Sequence, residues 1–366
     1  MRFAPIPASL PATVPFTGPE TLERRAGLPF RARLGANENG FGPSPRAVAA
    51  MAAAAGESWK YGDPDLFDLK TALAAHCGVT AAHLTVGEGI DGLLGNLVRL
   101  LIAPGDAVVT SEGAYPTFNY HVTGFGGVLH KVPYRNDRED IAALIDRAGQ
   151  VGARLVYLAN PDNPMGSWNS GADVAAMLDH LPPDCLLILD EAYVEFAPAD
   201  AVPQIVADDP RVIRMRTFSK AYGMAGVRVG YAIGAPELVA GFDRIRNHFG
   251  VGRIAQAGAL AALEDQGWLQ QVIAQVAAAR DRIGQIAARH GMAALPSATN
   301  FVAVDTGRDG DFARGVVAGL AEAGVFIRMP GVAPLDRCIR ISCGPQAELD
   351  ILDAAMSQAL TRQKAG

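Results

Sequence analysis

Three observations in this sequence predict a mixed α/β fold with a second, smaller α+β domain. Short Val-, Ile- and Leu-rich segments alternate with amphipathic helical stretches from residue 44 to residue 233, the pattern of a largely parallel sheet covered by helices on both faces. Past Pro236 the texture changes to long Ala- and Gln-rich helical stretches with few turn signals. A chain of 366 residues is also about two domains' worth, at the usual ~100–200 residues per domain.

The elements follow in order. Residues 1–33 are Pro-rich and weakly periodic, and read as an extended arm that packs on the small domain or on a partner subunit. The large domain, 34–262, opens with helices over 44–56 and 64–77, strand 83–86 and helix 90–102. Strand 107–110, a helix near 115–122, strand 128–133, helix 138–148 and strand 154–159 come next. Helix 172–180 and strands 185–189, 212–215 and 228–233 complete the alternation. Helices over 256–264 and 268–290 mark the boundary. The small domain, 263–366, adds strands 301–304, 325–328 and 338–342 and helices 310–323 and 346–362.

Composition narrows the function classes. With 49% hydrophobic and 19% charged residues the chain has ample material for a buried core. A net charge of -6 lacks the basic excess that phosphate contacts along a nucleic acid require. The longest apolar stretches, 47–55 and 100–104, fall well short of the ~20 residues that cross a bilayer. Pro5, Pro7, Pro11, Pro15 and Pro19 would break the helical core of a secretory signal, so a cytoplasmic protein is expected. Cys77, Cys185, Cys338 and Cys343 form no CxxC pair and the seven histidines lack ligand spacing, so buried free thiols and no metal site are expected.

Gly87, Gly89 and Gly92 spell GxGxxG between an apolar strand and a helix, with Glu112 about 20 residues on, the context of a dinucleotide-binding motif. The physics is more general, because backbone N–H groups at a helix N-terminus receive any phosphorylated cofactor. A glycine turn that only lets helix pack on strand is the plain alternative.

The chain has only five lysines. Lys220 stands in the run from Arg216 to Gly230, between two apolar strands and amid small residues that permit close backbone approach. An amine held there can lose its proton and form a Schiff base with an aldehyde, a role arginine cannot fill. A loop lysine paired with a carboxylate is the other reading of this segment alone. Asp190 ends the buried run Leu186-Leu187-Ile188-Leu189, where α/β sheets place ligands, and a protonated pyridine nitrogen is one cation that would suit it; a helix cap or an arginine partner are others. The turn Asn160-Pro161-Asp162-Asn163-Pro164-Met165-Gly166 can aim the Asn163 amide into the same crevice, or be a turn and nothing more.

Taken together these segments resemble the class I/II, fold-type I pyridoxal-phosphate aminotransferases, most closely the histidinol-phosphate branch. The matches run in family order from Gly35 to the C-terminus: Asn37-Glu38-Asn39 with Gly42-Pro43-Ser44-Pro45, Tyr61 before Asp63-Pro64-Asp65-Leu66, Asn163-Pro164, Asp190-Glu191-Ala192-Tyr193, Ser219-Lys220, Arg228 and Arg340. The resemblance implies that Lys220 binds the pyridoxal 5'-phosphate aldehyde and moves the substrate proton, and that Asp190 holds the ring nitrogen. It implies that Asn163 and Tyr193 bond the ring oxygen and that Tyr115 stacks on the ring. Gly89, Ile90 and Asp91 would hold the phosphate through backbone N–H groups, with Thr217, Ser219 and Arg228 adding side chains. Tyr61 would reach the phosphate of a neighbouring subunit, so a homodimer with shared sites is implied. Arg340 would grip a substrate carboxylate, Arg328 a substrate phosphate, and Asn37 and Asn300 would line the substrate side.

Two departures bear on the substrate. Phe16 stands where the histidinol-phosphate branch commonly carries tyrosine, removing a hydroxyl near the substrate phosphate, whereas Arg328 is kept; Gly40 and Met165, replacing a proline and a threonine, touch no chemistry. The leading expectation is amino transfer between L-glutamate/2-oxoglutarate and histidinol phosphate/imidazole acetol phosphate, with an aromatic amino acid as the substitute donor. A threonine-phosphate decarboxylase, a nicotinamide oxidoreductase using the glycine motif and Glu112, and a non-enzymatic regulator are the remaining readings.

Overall fold

The computed structural model describes residues 2–12 and 16–365, with side chains as far as Thr361; Pro15 lies outside the described residues. Twelve strands are described: β1 (Ala32–Arg33), β2 (Leu84–Gly87), β3 (Ala107–Ser111), β4 (Val128–Val132), β5 (Leu155–Ala159), β6 (Leu186–Asp190), β7 (Val212–Thr217), β8 (Gly230–Gly234), β9 (Ala293–Ala294), β10 (Phe301–Asp305), β11 (Val325–Phe326) and β12 (Cys338–Ser342). Seven of them form one sheet in the order β2-β8-β7-β6-β5-β3-β4. Only β8 runs against the others in that sheet. Every residue of β5 and β6 is buried, because helices cover both faces and no position is left for a polar side chain to reach water.

The remaining strands make two small sheets. β12-β10-β9 is antiparallel, and β1 pairs in parallel with β11, so the end of the arm joins the C-terminal third of the chain. Between the sheets runs the 24-residue helix Gln266–Arg289, whose Leu269, Val272, Val276, Ile283 and Ile286 enter a core shared with β10, β12 and the last helix. Among the described residues no helix is long and apolar enough to cross a membrane. All four cysteines are free, three buried and Cys77 partly so.

Several elements differ from the sequence reading. The arm is not simply extended: helices Pro5–Ser9 and Pro19–Ala26 form in it, each with proline in its first turn, where the missing N–H costs no hydrogen bond. The helix expected from residue 64 begins at Phe67, because Asp63 accepts from the N–H groups of Asp65 and Phe67 and Leu66 is left-handed at φ 51°. The helix expected over 138–148 is Ile141–Val151, started by the Asp140 side chain on Ala143 N–H. β8 begins only at Gly230, since Arg228 lies in the left-handed region at φ 62°. Arg328 lies beyond the short β11 and is bonded through its backbone to Arg340 in both directions. Pro236–Phe242 is a helix with no counterpart in the sequence reading.

Candidate active site

Parallel strands all deliver their C-terminal ends to one edge of a sheet, and here that edge gathers the chemistry. Ala159, Asp190 and Met215 are register partners on β5, β6 and β7, so the segments that follow each strand enter one crevice. Gly230, opening β8, lies opposite both Thr217 and Gly87 and thereby brings the β2–helix turn to the same edge. Close approach is obligatory there: a Cβ on Gly230 would stand 2.8 Å from the carbonyl carbon of Gly89.

Of the residues singled out from the sequence, Phe16, Asn37, Ile90, Asp91, Tyr115, Asn163, Asp190, Tyr193, Thr217, Ser219, Lys220, Arg228, Arg328 and Arg340 line a single cavity of about 730 Å3. Gly89 precedes Ile90 of the lining, at φ 76°, and an added Cβ there would lie 2.4 Å from an Arg228 guanidinium nitrogen. Gly89, Tyr61 and Asn300 all fall outside the lining. Tyr61 is 76% exposed on the outer surface, its ring 4.6 Å from that of Phe249. Asn300 is fully buried behind the site and does not line it; its amide donates to the carbonyls of Asn37 and Glu38, each at 3.2 Å, and so braces the loop that carries Asn37.

The Lys220 amine donates to the Asn37 carbonyl at 3.1 Å and lies 5.6 Å from the centre of the Tyr193 ring. Burial, reinforced by the positive charge of Arg340, draws its pKa down to about 8. Asp190 accepts from the Tyr157 hydroxyl at 2.6 Å and from Ala192 N–H at 2.9 Å. Its burial pushes the carboxyl up to about 6, against the pull of those two donors. Tyr193 accepts from the Asn37 amide at 3.2 Å and meets Phe301 edge-on.

Around Gly89 the groups converge as an anion cup. The helix Gly89–Leu101 presents its first N–H groups, which have no partner within the helix. Thr217 donates to the Ser219 hydroxyl at 2.9 Å, Arg228 reaches that hydroxyl at 3.3 Å, and Tyr115 donates to Asp91 at 2.8 Å. At the other end Arg340 donates to the Asn163 side-chain oxygen at 2.5 Å, so the donor that Asn163 has left is its NH2. Arg340 lies over the Phe301 ring, and burial draws its guanidinium down to about 10. Arg328 donates to the Thr17 carbonyl at 2.8 Å, which ties the arm beside Phe16 to the mouth of the cavity. A buried amine, a buried carboxylate, a helix N-terminus flanked by two hydroxyls and Arg228, and two further guanidiniums fit the parts of pyridoxal phosphate and of an anionic amino donor.

Sequence reasoning missed the layer beneath. Tyr157 was unremarked, although a tyrosine in the aliphatic run Leu155-Val156-Tyr157-Leu158-Ala159 must find a buried acceptor. Glu139 bridges Ser111 and Ala159 N–H where β3 and β5 diverge after only two paired residues, and Tyr134 donates to Asp162 at 2.7 Å. Burial raises both carboxyls, that of Asp162 to about 7.

A model of the family described as aminotransferase class I and II matches residues 32–355. The chain is 34% identical to the histidinol-phosphate aminotransferase of Moorella thermoacetica over 96% of this chain and 91% of that protein. It is 38% identical to histidinol-phosphate aminotransferase 2 of Ralstonia nicotianae over 91% and 90%. The crystal structure of histidinol-phosphate aminotransferase from Sinorhizobium meliloti in complex with pyridoxal-5'-phosphate superposes with a TM-score of 0.96, at 56% identity, over 99% of this chain and 98% of that one. The chain belongs to the class I and II aminotransferases, enzymes that use pyridoxal phosphate to exchange an amino group between an amino acid and a keto acid.

Proposed function

We propose that the protein transfers an amino group between L-glutamate/2-oxoglutarate and histidinol phosphate/imidazole acetol phosphate. The observation that carries this reading is that the Lys220 amine and the Asp190 carboxylate share a cavity with two guanidiniums, Arg328 and Arg340, neither of which has a carboxylate partner among the described residues. The Moorella, Ralstonia and Sinorhizobium relatives, all histidinol-phosphate aminotransferases, support the choice of donor.

When bound, pyridoxal 5'-phosphate supplies an aldehyde and an electron-withdrawing ring. Gly89, Ile90 and Asp91 would hold its phosphate through backbone N–H groups, with the side chains of Thr217, Ser219 and Arg228 closing the cup. Asn163 and Tyr193 would bond the ring oxygen and Tyr115 would cover a ring face. Asp190 would hold the ring nitrogen and favour its protonated form, each unit of raised pKa being worth ~1.36 kcal/mol. Lys220 would bind the aldehyde and would hold and move the proton at the substrate Cα; an amine with a pKa near 8 is neutral in a usable fraction of molecules at neutral pH, as an ordinary lysine is not. Asn37, held by Asn300, orients Tyr193 beside it. Arg340 grips the substrate α-carboxylate and Arg328 its phosphate.

We further propose a homodimer, in the cytoplasm, with the arm 1–33, the large domain 34–262 and the small domain 263–366 as its units. Trp59, Tyr61, Phe67 and Phe249 are exposed, and the packed pair Tyr61 and Phe249 is of the kind a second copy covers, from which Tyr61 would reach the partner's phosphate cup. Half-reactions with a panel of amino donors, read as loss of the protein's visible absorbance, test the substrate. Conversion by histidinol phosphate and glutamate supports the proposal; reaction with phenylalanine or tyrosine in place of histidinol phosphate replaces it with an aromatic aminotransferase.

A further inference from the structure

We propose that the Tyr157 hydroxyl is a positioning group that fixes the Asp190 carboxylate toward the cofactor nitrogen and keeps it ionised. The inference rests on the pyridoxal phosphate reading above and assigns a role to a residue which that reading leaves unused. Tyr157 is fully buried on β5, one strand from Asp190, and the register that pairs Ala159 with Asp190 brings its phenol alongside the carboxylate. Its ring stacks on Phe118 with centroids 4.7 Å apart and planes 17° apart, which fixes the direction of the hydroxyl. Phenylalanine would pack there equally well, so the hydroxyl is accounted for by its acceptor, Asp190 Oδ2 at 2.6 Å.

The second Asp190 oxygen accepts from Ala192 N–H, so each oxygen has one neutral donor and no arginine. Donors to the ionised form favour it without cancelling its charge. The other charged or titratable groups facing the pair are Lys220, Asp91, Tyr115, Glu139 and, through Asp190, Asp162 and Tyr193. Of these the Asp91 carboxylate opposes ionisation of Asp190, which makes the phenol's contribution the more necessary.

The test compares wild type, Tyr157→Phe and Tyr157→Leu, each reconstituted with 15N-labelled pyridoxal phosphate, with Asp190→Asn as the reference for full loss. Tyr157→Phe should move the ring-nitrogen resonance toward the unprotonated position, weaken cofactor binding about tenfold and lower kcat about tenfold, while KM for the amino donor stays within about twofold. An unchanged nitrogen resonance and cofactor Kd in Tyr157→Phe, whatever its melting temperature, overturns the proposal. So does an effect confined to Tyr157→Leu, which would assign the role to ring packing. If a variant cannot be reconstituted, 13C titration of the Asp190 carboxyl in the apoprotein decides instead: its pKa must rise in Tyr157→Phe. A wild-type protein that binds no pyridoxal phosphate sinks the functional reading as well, whereas an unaffected Tyr157→Phe variant sinks this inference alone.

Discussion

Asp190 and Glu191 are consecutive residues, both buried carboxylates at the end of β6, and the protein treats them in opposite ways. Glu191 accepts from Arg214 at 2.7 Å and from Arg216 at 2.8 Å. Burial opposes its charge, but the Arg216 and Arg214 guanidiniums outweigh that penalty and hold the carboxyl below its usual range. Asp190, pointing to the other face as alternate strand residues must, receives only a phenol and a backbone N–H. Burial wins there and the carboxyl rises to about 6. A buried acid clamped by two cations is finished structure. An acid held by neutral donors still has its charge to give to something that enters the cavity.

The sharpest way to break this contrast is to remove each charge in turn. Asp190→Asn keeps the shape and loses the charge, so turnover of the holoenzyme should fall about 10²- to 10³-fold, the loss expected when one partner of a buried ion pair is removed. The folded apoprotein should survive intact by circular dichroism. Glu191→Gln should do the reverse, costing about 3–5 kcal/mol of stability in denaturant melts because two arginines are left buried without their counter-ion, with kcat per folded molecule within about threefold of wild type. Equal activity losses in the two variants would erase the distinction.

Acidity separates them next. A carboxyl whose folded pKa stands above its ordinary 3.8 takes up its proton sooner in the folded chain, so its burial penalty is felt in full above about pH 6 and is absent below about pH 4. Apo Asp190→Asn should therefore be more stable than apo wild type above pH 6, by on the order of 3 kcal/mol, and the gain should vanish on acidification to pH 4. Glu191 has the opposite sign: its contribution is present above its ordinary 4.5 and is lost as the pH falls through its depressed folded pKa. Calorimetry of the two variants across pH 3.5–8 should show stability differences that run in opposite directions.

What the sequence revealed follows the same physics. The central strands were legible because burial on both faces forces continuous apolar runs, and β12 matched residue for residue. Cavity residues carried by motifs, from Asn163 to Arg340, were legible because their chemistry is visible in the residue type. The partners were not. Nothing in the spacing of Tyr157 and Asp190 shows that adjacent strands bring them to 2.6 Å, because strand order and register are properties of the assembled sheet. The setting of Asn300 was hidden for the same reason: its residue type suits a binding site, and its side-chain NH2 bonds the backbone of the Asn37 loop. The arm's helices were hidden because prolines that break a helix interior are welcome in a first turn.

The contrast extends to cations, where it yields the smallest expected effect. Arg214 and Arg216 are consumed by Glu191, whereas Arg328 and Arg340 enter no ion pair among the described residues and spend their hydrogen bonds on carbonyl oxygens of Thr17, Gly35 and Asn163. Like Asp190, they keep their charge for a ligand, and their Nε atoms are buried without a partner. Desolvation lowers the pKa of both guanidiniums, a cost that a bound anion would relieve. The two differ in reach: Arg340 is joined to Asn163 deep in the cavity, while Arg328 sits at the mouth with the arm. If Arg328 meets the far anionic end of the donor, Arg328→Ala should lower kcat/KM for histidinol phosphate about 10- to 100-fold, the worth of one or two charge-assisted hydrogen bonds, and leave the glutamate half-reaction within about threefold. Equal losses with both donors would mean that Arg328 holds the α-carboxylate or the arm, and that the two arginines divide the substrate differently from the arrangement proposed here.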